Sequence, residues 1–177
     1  DEPGAQRAER NWFDPYLQTY SRLQALASIG HMVEKVEIIV LGGTWSYYPE
    51  SYQIWFIAEC FQALNDWSEK QDGRQERIVH YQNLLEKLSA VGGTPMSEHP
   101  EQNEATLAGQ EIEGADVVHG TYNYKVSTMY VGPERRLGLD VLQSRTWKQL
   151  EQVQEKNEKT LARCVGLSLE TRPDAIS

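Results

Sequence analysis

The spacing of apolar residues changes along the chain, and each change marks an element. From residue 14 to 29, Tyr16, Tyr20, Leu23, Leu26 and Ala27 recur three and four apart, as on one buried helix face. Asp14 suits the N-cap, Pro15 the first helical position and Gly30 the stop. Residues 35–41, KVEIIVL, lose that period. They are short, β-branched and almost wholly apolar after Glu37, which predicts a strand covered on both faces, as in a parallel sheet. Gly42, Gly43 and Thr44 end it, and the aromatic turn WSYYP follows. Helical spacing returns over about 50–64 (Ile54, Ile57, Ala58, Phe61, Leu64) and about 75–90 (Ile78, Tyr81, Leu85, Leu88), the second stopped by Gly92 and Gly93. A further helix is predicted over about 147–161, with Thr146 and Gln149 as a capping box. Residues 164–169, CVGLSL, read as a second short buried strand, ending in Glu170-Thr171-Arg172-Pro173-Asp174.

Two such strands joined by a helical crossover make a right-handed parallel unit, so the fold class is α/β, with helices expected on both faces of the sheet. Residues 91–143 interrupt this order. They are rich in Gly, Glu, Gln and Asn, and only 121–131 alternates as a strand would. The segment reads as a long polar insertion in a surface loop. Two strands are too few for a complete sheet of this kind, so the chain is expected to be a piece of a larger barrel or open sheet.

Charge sharpens the picture. The chain has 177 residues and a net charge of −9, of which six negative charges lie in residues 91–120, where there is no Lys or Arg. This balance argues against a domain that holds nucleic acid mainly by its own charge. No apolar run is long enough to span a membrane, and no basic-then-apolar leader precedes the first helix, which points to a cytoplasmic protein without membrane contact. Cys60 and Cys164 exclude a disulfide scaffold and a four-cysteine metal site made by this chain alone. Both read as inert buried thiols, and His31, His80, His99 and His119 show no ligand spacing, so no metal ligand is assigned.

Ligands of parallel α/β folds sit beyond the carboxyl ends of the strands. Here those ends carry Gly42, Gly43 and Thr44 on one strand and Glu170 and Arg172 on the other. Adjacent glycines let a ligand lie against the backbone, a carboxylate can accept from two neighbouring hydroxyls, and a guanidinium can clamp a carboxylate or phosphate. A tight turn and a surface ion pair would use the same residues. LGGTWS lacks the third glycine of a dinucleotide fingerprint and the lysine of a P-loop. Trp45, Tyr47 and Tyr48 would wall an apolar pocket or pack the rim of the sheet.

Three stretches, DEPGAQRAERNWFDPYLQTY, KVEIIVLGGTWSYYPESYQIWFIAECFQALN and CVGLSLETRPD, together resemble the radical SAM domain of the Elongator catalytic subunit family, and its stand-alone bacterial form above all. The resemblance covers about half the chain, with LGGTW and LETRPD its specific pieces, and leaves residues 91–143 largely outside. It implies a partial (β/α) barrel holding a 4Fe–4S cluster and S-adenosylmethionine, followed by an acetyltransferase domain. It implies an enzyme that adds an acetyl-CoA-derived carboxymethyl-type group to C5 of the wobble uridine of tRNA. In that chemistry the cluster reductively cleaves S-adenosylmethionine, a 5′-deoxyadenosyl radical takes hydrogen from the acetyl methyl group, and the carbon radical adds to the uridine. The resemblance assigns Gly42, Gly43 and Thr44 to the cofactor's methionine amino group, Glu170 to its ribose, and, less directly, Arg172 to the same site. It implies no catalytic residue in this chain. Arg7 and Arg10 would face substrate or RNA, or simply begin a helix. A homodimer of the full-length protein is compatible with the family.

The family's cluster cysteines precede DEPG, and its acetyltransferase domain and later strands follow LETRPD. The expectation is therefore a partial radical SAM domain over residues 1–177, inactive alone, with the cluster ligands and the basic RNA-binding surface elsewhere. Two alternatives remain: another radical SAM enzyme of the porphyrinogen-oxidase type, or a non-catalytic half-barrel interaction module. Three closely spaced cysteines upstream would support an enzyme, and an acetyltransferase motif downstream would select the tRNA reaction.

Overall fold

A computed structural model of the chain describes residues 3–42, 44–90 and 143–171. The expected insertion and its strand at 121–131 therefore lie outside the described residues, as do Gly43, Gly92, Gly93, Arg172, Pro173 and Asp174. The chain divides into two compact units, one of Asp1–Val79 with Asp140–Ser177 and one of His80–Leu139. In the second, the described residues are the end of one helix, where the rings of His80 and Tyr81 meet edge to face.

The first unit opens with helix α1 (Pro3–Arg10), which the apolar pattern did not predict because it buries no residue. Asn11 ends it by donating from Nδ2 to the Arg7 carbonyl at 2.8 Å. Helix α2 (Pro15–Ser28) follows as expected. The Asp14 carboxylate accepts from the Leu17 N–H at 2.8 Å, and Gly30 closes the helix at φ 90°. Strand β1 (Lys35–Val40) leads through a single 3-10 turn (Trp45–Tyr47) into helix α3 (Glu50–Glu69). This helix runs a turn beyond the predicted Leu64. It stops where Lys70 turns left-handed and its N–H returns to the Asp66 and Trp67 carbonyls. Helix α4 (Arg74–Ala90) comes next, and helix α5 (Trp147–Asn157) precedes strand β2 (Arg163–Leu169).

The two strands pair in parallel, as the crossover rule requires. Lys35 stands opposite Arg163 and Val40 opposite Leu169, with a register irregularity after Val36. The core lies between the sheet and helices α3 and α5: Trp45, Ile54, Ile57, Ala58, Phe61 and Leu150, with Val40, Val153 and Cys164 packed on it. All five residues predicted for the α3 stripe are buried. Helix α2 packs on α3 through Tyr16, Leu17, Tyr20 and Leu23.

Among the described residues, coverage of the strands on both faces is not found. Val36, Ile38 and Val40 are half-buried, whereas Ile39, Leu41 and Val165 are 58%, 67% and 56% exposed. The reason is the placement of the helices: among the described residues the helical core packs on one side of the sheet only, so the expected flanking on both faces is corrected with it. Helix α5 also ends four residues early. The Asn157 side chain turns into the chain ahead, accepting from the Cys164 N–H at 2.8 Å and donating to the Ala162 carbonyl at 2.9 Å.

The two thiols differ. Cys60 is 3% exposed, and burial first of all pushes its pKa from 9.0 up to about 12. Cys164 is half-buried and less shielded, its pKa also raised by burial. At pH 8 a thiol reagent should label Cys164 in the folded chain and Cys60 only on unfolding, as mass spectrometry of the labelled peptides would show. The folded state keeps a Cys60 proton that the unfolded chain releases, so this contribution to stability is complete below pH 9.0 and falls as pH rises towards about 12. Equal labelling of both thiols in the folded chain would contradict the burial of Cys60.

Candidate functional site

The parallel pairing brings both candidate motifs to one end of the sheet. Past the Val40–Leu169 pair, the Glu170 N–H donates to the Val40 carbonyl at 3.1 Å, and the Glu170 carbonyl accepts from the Trp45 N–H at 3.4 Å. The backbone of one residue thus joins the end of β1, the start of β2's outgoing turn and the 3-10 turn. The hydroxyls of Ser46 and Thr171, 2.7 Å apart, repeat the link on the surface. Gly42, Thr44 and Glu170 are therefore neighbours in the fold although about 125 residues separate them in sequence, the separation of Ser46 and Thr171.

Local chemistry explains the shape. Gly42 adopts φ 93°, where a side chain is strained, and a Cβ there would meet nothing within 4 Å, so the surface above it is open. Thr44 is half-buried in extended backbone at the head of the 3-10 turn. Glu170 is exposed. Trp45 is buried and holds the turn down, its ring edge-to-face with Phe56 at 5.4 Å. Of the three aromatics, Trp45 and Tyr48 pack on the core, whereas Tyr47 is exposed.

Such an end can offer backbone groups at Gly42, a hydroxyl at Thr44 and a carboxylate at Glu170 to one ligand. That donor set fits the methionine amino group and ribose of S-adenosylmethionine. The cysteines do not fit a 4Fe–4S cluster: Cys60 is buried in α3, Cys164 lies at the opposite end of β2, and the described residues hold no group of three metal-ligating side chains. A hollow of about 590 Å³ opens at that opposite end, beside Phe61 and Cys164, away from the strand-end motifs.

The pattern of apolar residues did not reveal a buried ionic network. Glu59, 2% exposed, accepts from Arg77 through Oε2 and from Nε and Nη2 of Arg145 through Oε1, at 2.9 and 2.6 Å. Arg77 also pairs with the buried Asp14 at 3.4 Å and stacks on the Tyr16 ring at 4.0 Å. The Tyr16 hydroxyl donates to Asp66 and accepts from the Gly73 N–H, and burial raises its pKa. A carboxylate within the apolar run Ile57-Ala58-Glu59-Cys60-Phe61 was the one signal in the sequence.

The chain is similar to part of several curated proteins. A tRNA uridine(34) acetyltransferase of Methanocaldococcus infernus is 39% identical over 77 residues, 44% of this chain and 14% of that protein. Elongator complex protein 3 of Bos taurus is 48% identical over 64 residues, 36% of this chain and 12% of that protein, and the Homo sapiens protein is 47% identical over the same shares. The similarity thus spans about an eighth of the length of these relatives. No family model matches the chain. No solved structure matches it. The Elongator-type resemblance read from the motifs holds over this partial region. Among the described residues no helix is long and apolar enough to cross a membrane.

Proposed function

We propose that this chain supplies the S-adenosylmethionine-holding strand ends of a cytoplasmic radical SAM enzyme that modifies the wobble uridine of tRNA, with acetyl-CoA as donor of a carboxymethyl-type group. The observation that supports the reading is the backbone of Glu170, whose N–H donates to Val40 and whose carbonyl accepts from Trp45, so that Glu170 and the turn after β1 share one end of the sheet. The partial similarity to tRNA uridine(34) acetyltransferases and Elongator complex protein 3 supports the tRNA part. In this reading S-adenosylmethionine, when bound, supplies the reactive carbon centre that activates an acetyl methyl group. Gly42, together with Gly43, presents backbone to the methionine amino group. Thr44 offers a hydroxyl, Glu170 accepts from the ribose, and Arg172 adds a cation. A partial (β/α) barrel is the proposed frame, its 4Fe–4S ligands coming from outside this chain.

Glu170→Gln tests the site in a full-length, cluster-bearing protein. A carboxylate accepts from both ribose hydroxyls, whereas an amide offers one acceptor oxygen. A hydrogen bond to a charged group is worth about 1.5–3 kcal/mol, so S-adenosylmethionine should bind roughly ten- to a hundredfold more weakly, with thermal unfolding unchanged. Equal dissociation constants by isothermal titration would remove Glu170 from the site.

A further inference from the structure

Away from the strand ends, a pocket of about 330 Å³ opens where the end of α1, the α1–α2 turn, α2 and the start of α4 meet. Its wall combines Arg10, Asn11, Trp12 and Gln75 with Ser21 and the Asp72–Arg74 pair. Trp12 and Phe13 are both left-handed, at φ 57° and 54°, a conformation that bulky residues rarely adopt. The turn is held by the Phe13 N–H on the Ala8 carbonyl at 2.8 Å and the Asp14 N–H on the Asn11 carbonyl at 2.9 Å. Phe13 is buried as an anchor, while half-buried Trp12 lines the pocket. Strain of this kind concentrates where a side chain must be presented.

The polar groups are unevenly committed. Arg74 is engaged by Asp72 and lies over the Tyr20 ring at 4.8 Å, and that pairing holds the Asp72 carboxyl below its ordinary range. The acidic wall is thereby neutralised. Arg10 is exposed and makes no ion pair with a described residue. Asn11 spends its amide N–H on the Arg7 carbonyl, which leaves its side-chain oxygen as an acceptor. An indole, an uncommitted guanidinium and two side-chain amides suit a flat heterocycle carrying both donors and acceptors, with an anion beside it.

We infer that this pocket takes one unpaired nucleotide of an RNA, its base against Trp12 and between the amides of Asn11 and Gln75, its phosphate on Arg10. The choice of RNA rests on the tRNA reading above, but the pocket is separate from the strand-end site. It also gives an acidic chain an RNA contact that depends on stacking and one cation rather than on a basic surface.

The test uses the full-length protein and a fluorescein-labelled anticodon stem–loop transcript, with affinity read by anisotropy over a salt series. Trp12→Leu should weaken binding about tenfold, from the loss of one base–aromatic stack. Arg10→Gln should reduce the slope of log K against log salt by about 0.7, one phosphate contact on a single strand, and Arg10→Lys should restore it. That slope carries the test if Trp12→Leu fails to fold. Unchanged affinity and slope in the variants, or no binding by the wild type at low salt, overturns the pocket. So does a phosphotyrosine peptide that binds as tightly as the RNA with the same sensitivity to both variants. Unchanged variants alongside tight wild-type RNA binding, with S-adenosylmethionine affinity still lost in Glu170→Gln, would remove this pocket and leave the proposed function standing.

Discussion

Glu59→Ala should destabilise the first unit by about 3 kcal/mol, visible as a lower urea midpoint with an unchanged m-value. Glu59 is almost fully buried and is the shared acceptor of Arg77 and Arg145. Removing one partner of a buried pair leaves charge without compensation and costs about 3–5 kcal/mol. The lower end applies because the Arg77 and Arg145 side chains keep 26% and 32% exposure and can recover some water. Glu59→Gln, which keeps the shape and one acceptor, should lose less. A loss below about 1 kcal/mol for Glu59→Ala would put the network on the level of surface ion pairs. The position matters beyond stability. Arg77 lies just before residues 80–139 and Arg145 just after them, so one carboxylate holds the chain where it leaves the first unit and where it returns.

Asn157→Ala should cost about as much and loosen the start of β2. Its side chain accepts from the Cys164 N–H at 2.8 Å and donates to the Ala162 carbonyl and the Asn65 side chain, both at 2.9 Å. Each buried group left without a partner costs about 1–3 kcal/mol, so a total of roughly 3 kcal/mol or more is expected. These bonds fix the start of β2, while Glu170 lies at its far end. The Cys164 amide should exchange with solvent faster in Asn157→Ala, measured by hydrogen exchange. Asn157→Asp keeps the acceptor for Cys164 and should retain more of that protection. Unchanged exchange in Asn157→Ala would show that the sheet pairing alone holds the strand.

The elements that local chemistry decides were legible in the sequence because their signals lie within a few residues. The Asp14 cap, Pro15, the Gly30 stop and the Thr146–Gln149 capping box each depend on neighbours within a few residues, and the structure shows all of them. The α3 stripe was readable for the same reason: its period is that of the helix itself. The parallel pairing of β1 with β2 followed from the handedness of crossovers, a rule that needs only element order. Helix α1 was missed because it buries nothing and so leaves no apolar period. The sheet was misjudged because an apolar strand records what it is suited to meet, whereas Ile39, Leu41 and Val165 stay exposed among the described residues. Composition and order along the chain thus determined the α/β class, most of the helices and the two motifs that end the strands. Only the tertiary structure decided that the Glu170 backbone binds both Val40 and Trp45, and that Glu59 gathers Arg77 and Arg145. Those contacts join residues 18 to 130 positions apart, and no periodicity within one element encodes a partner in another.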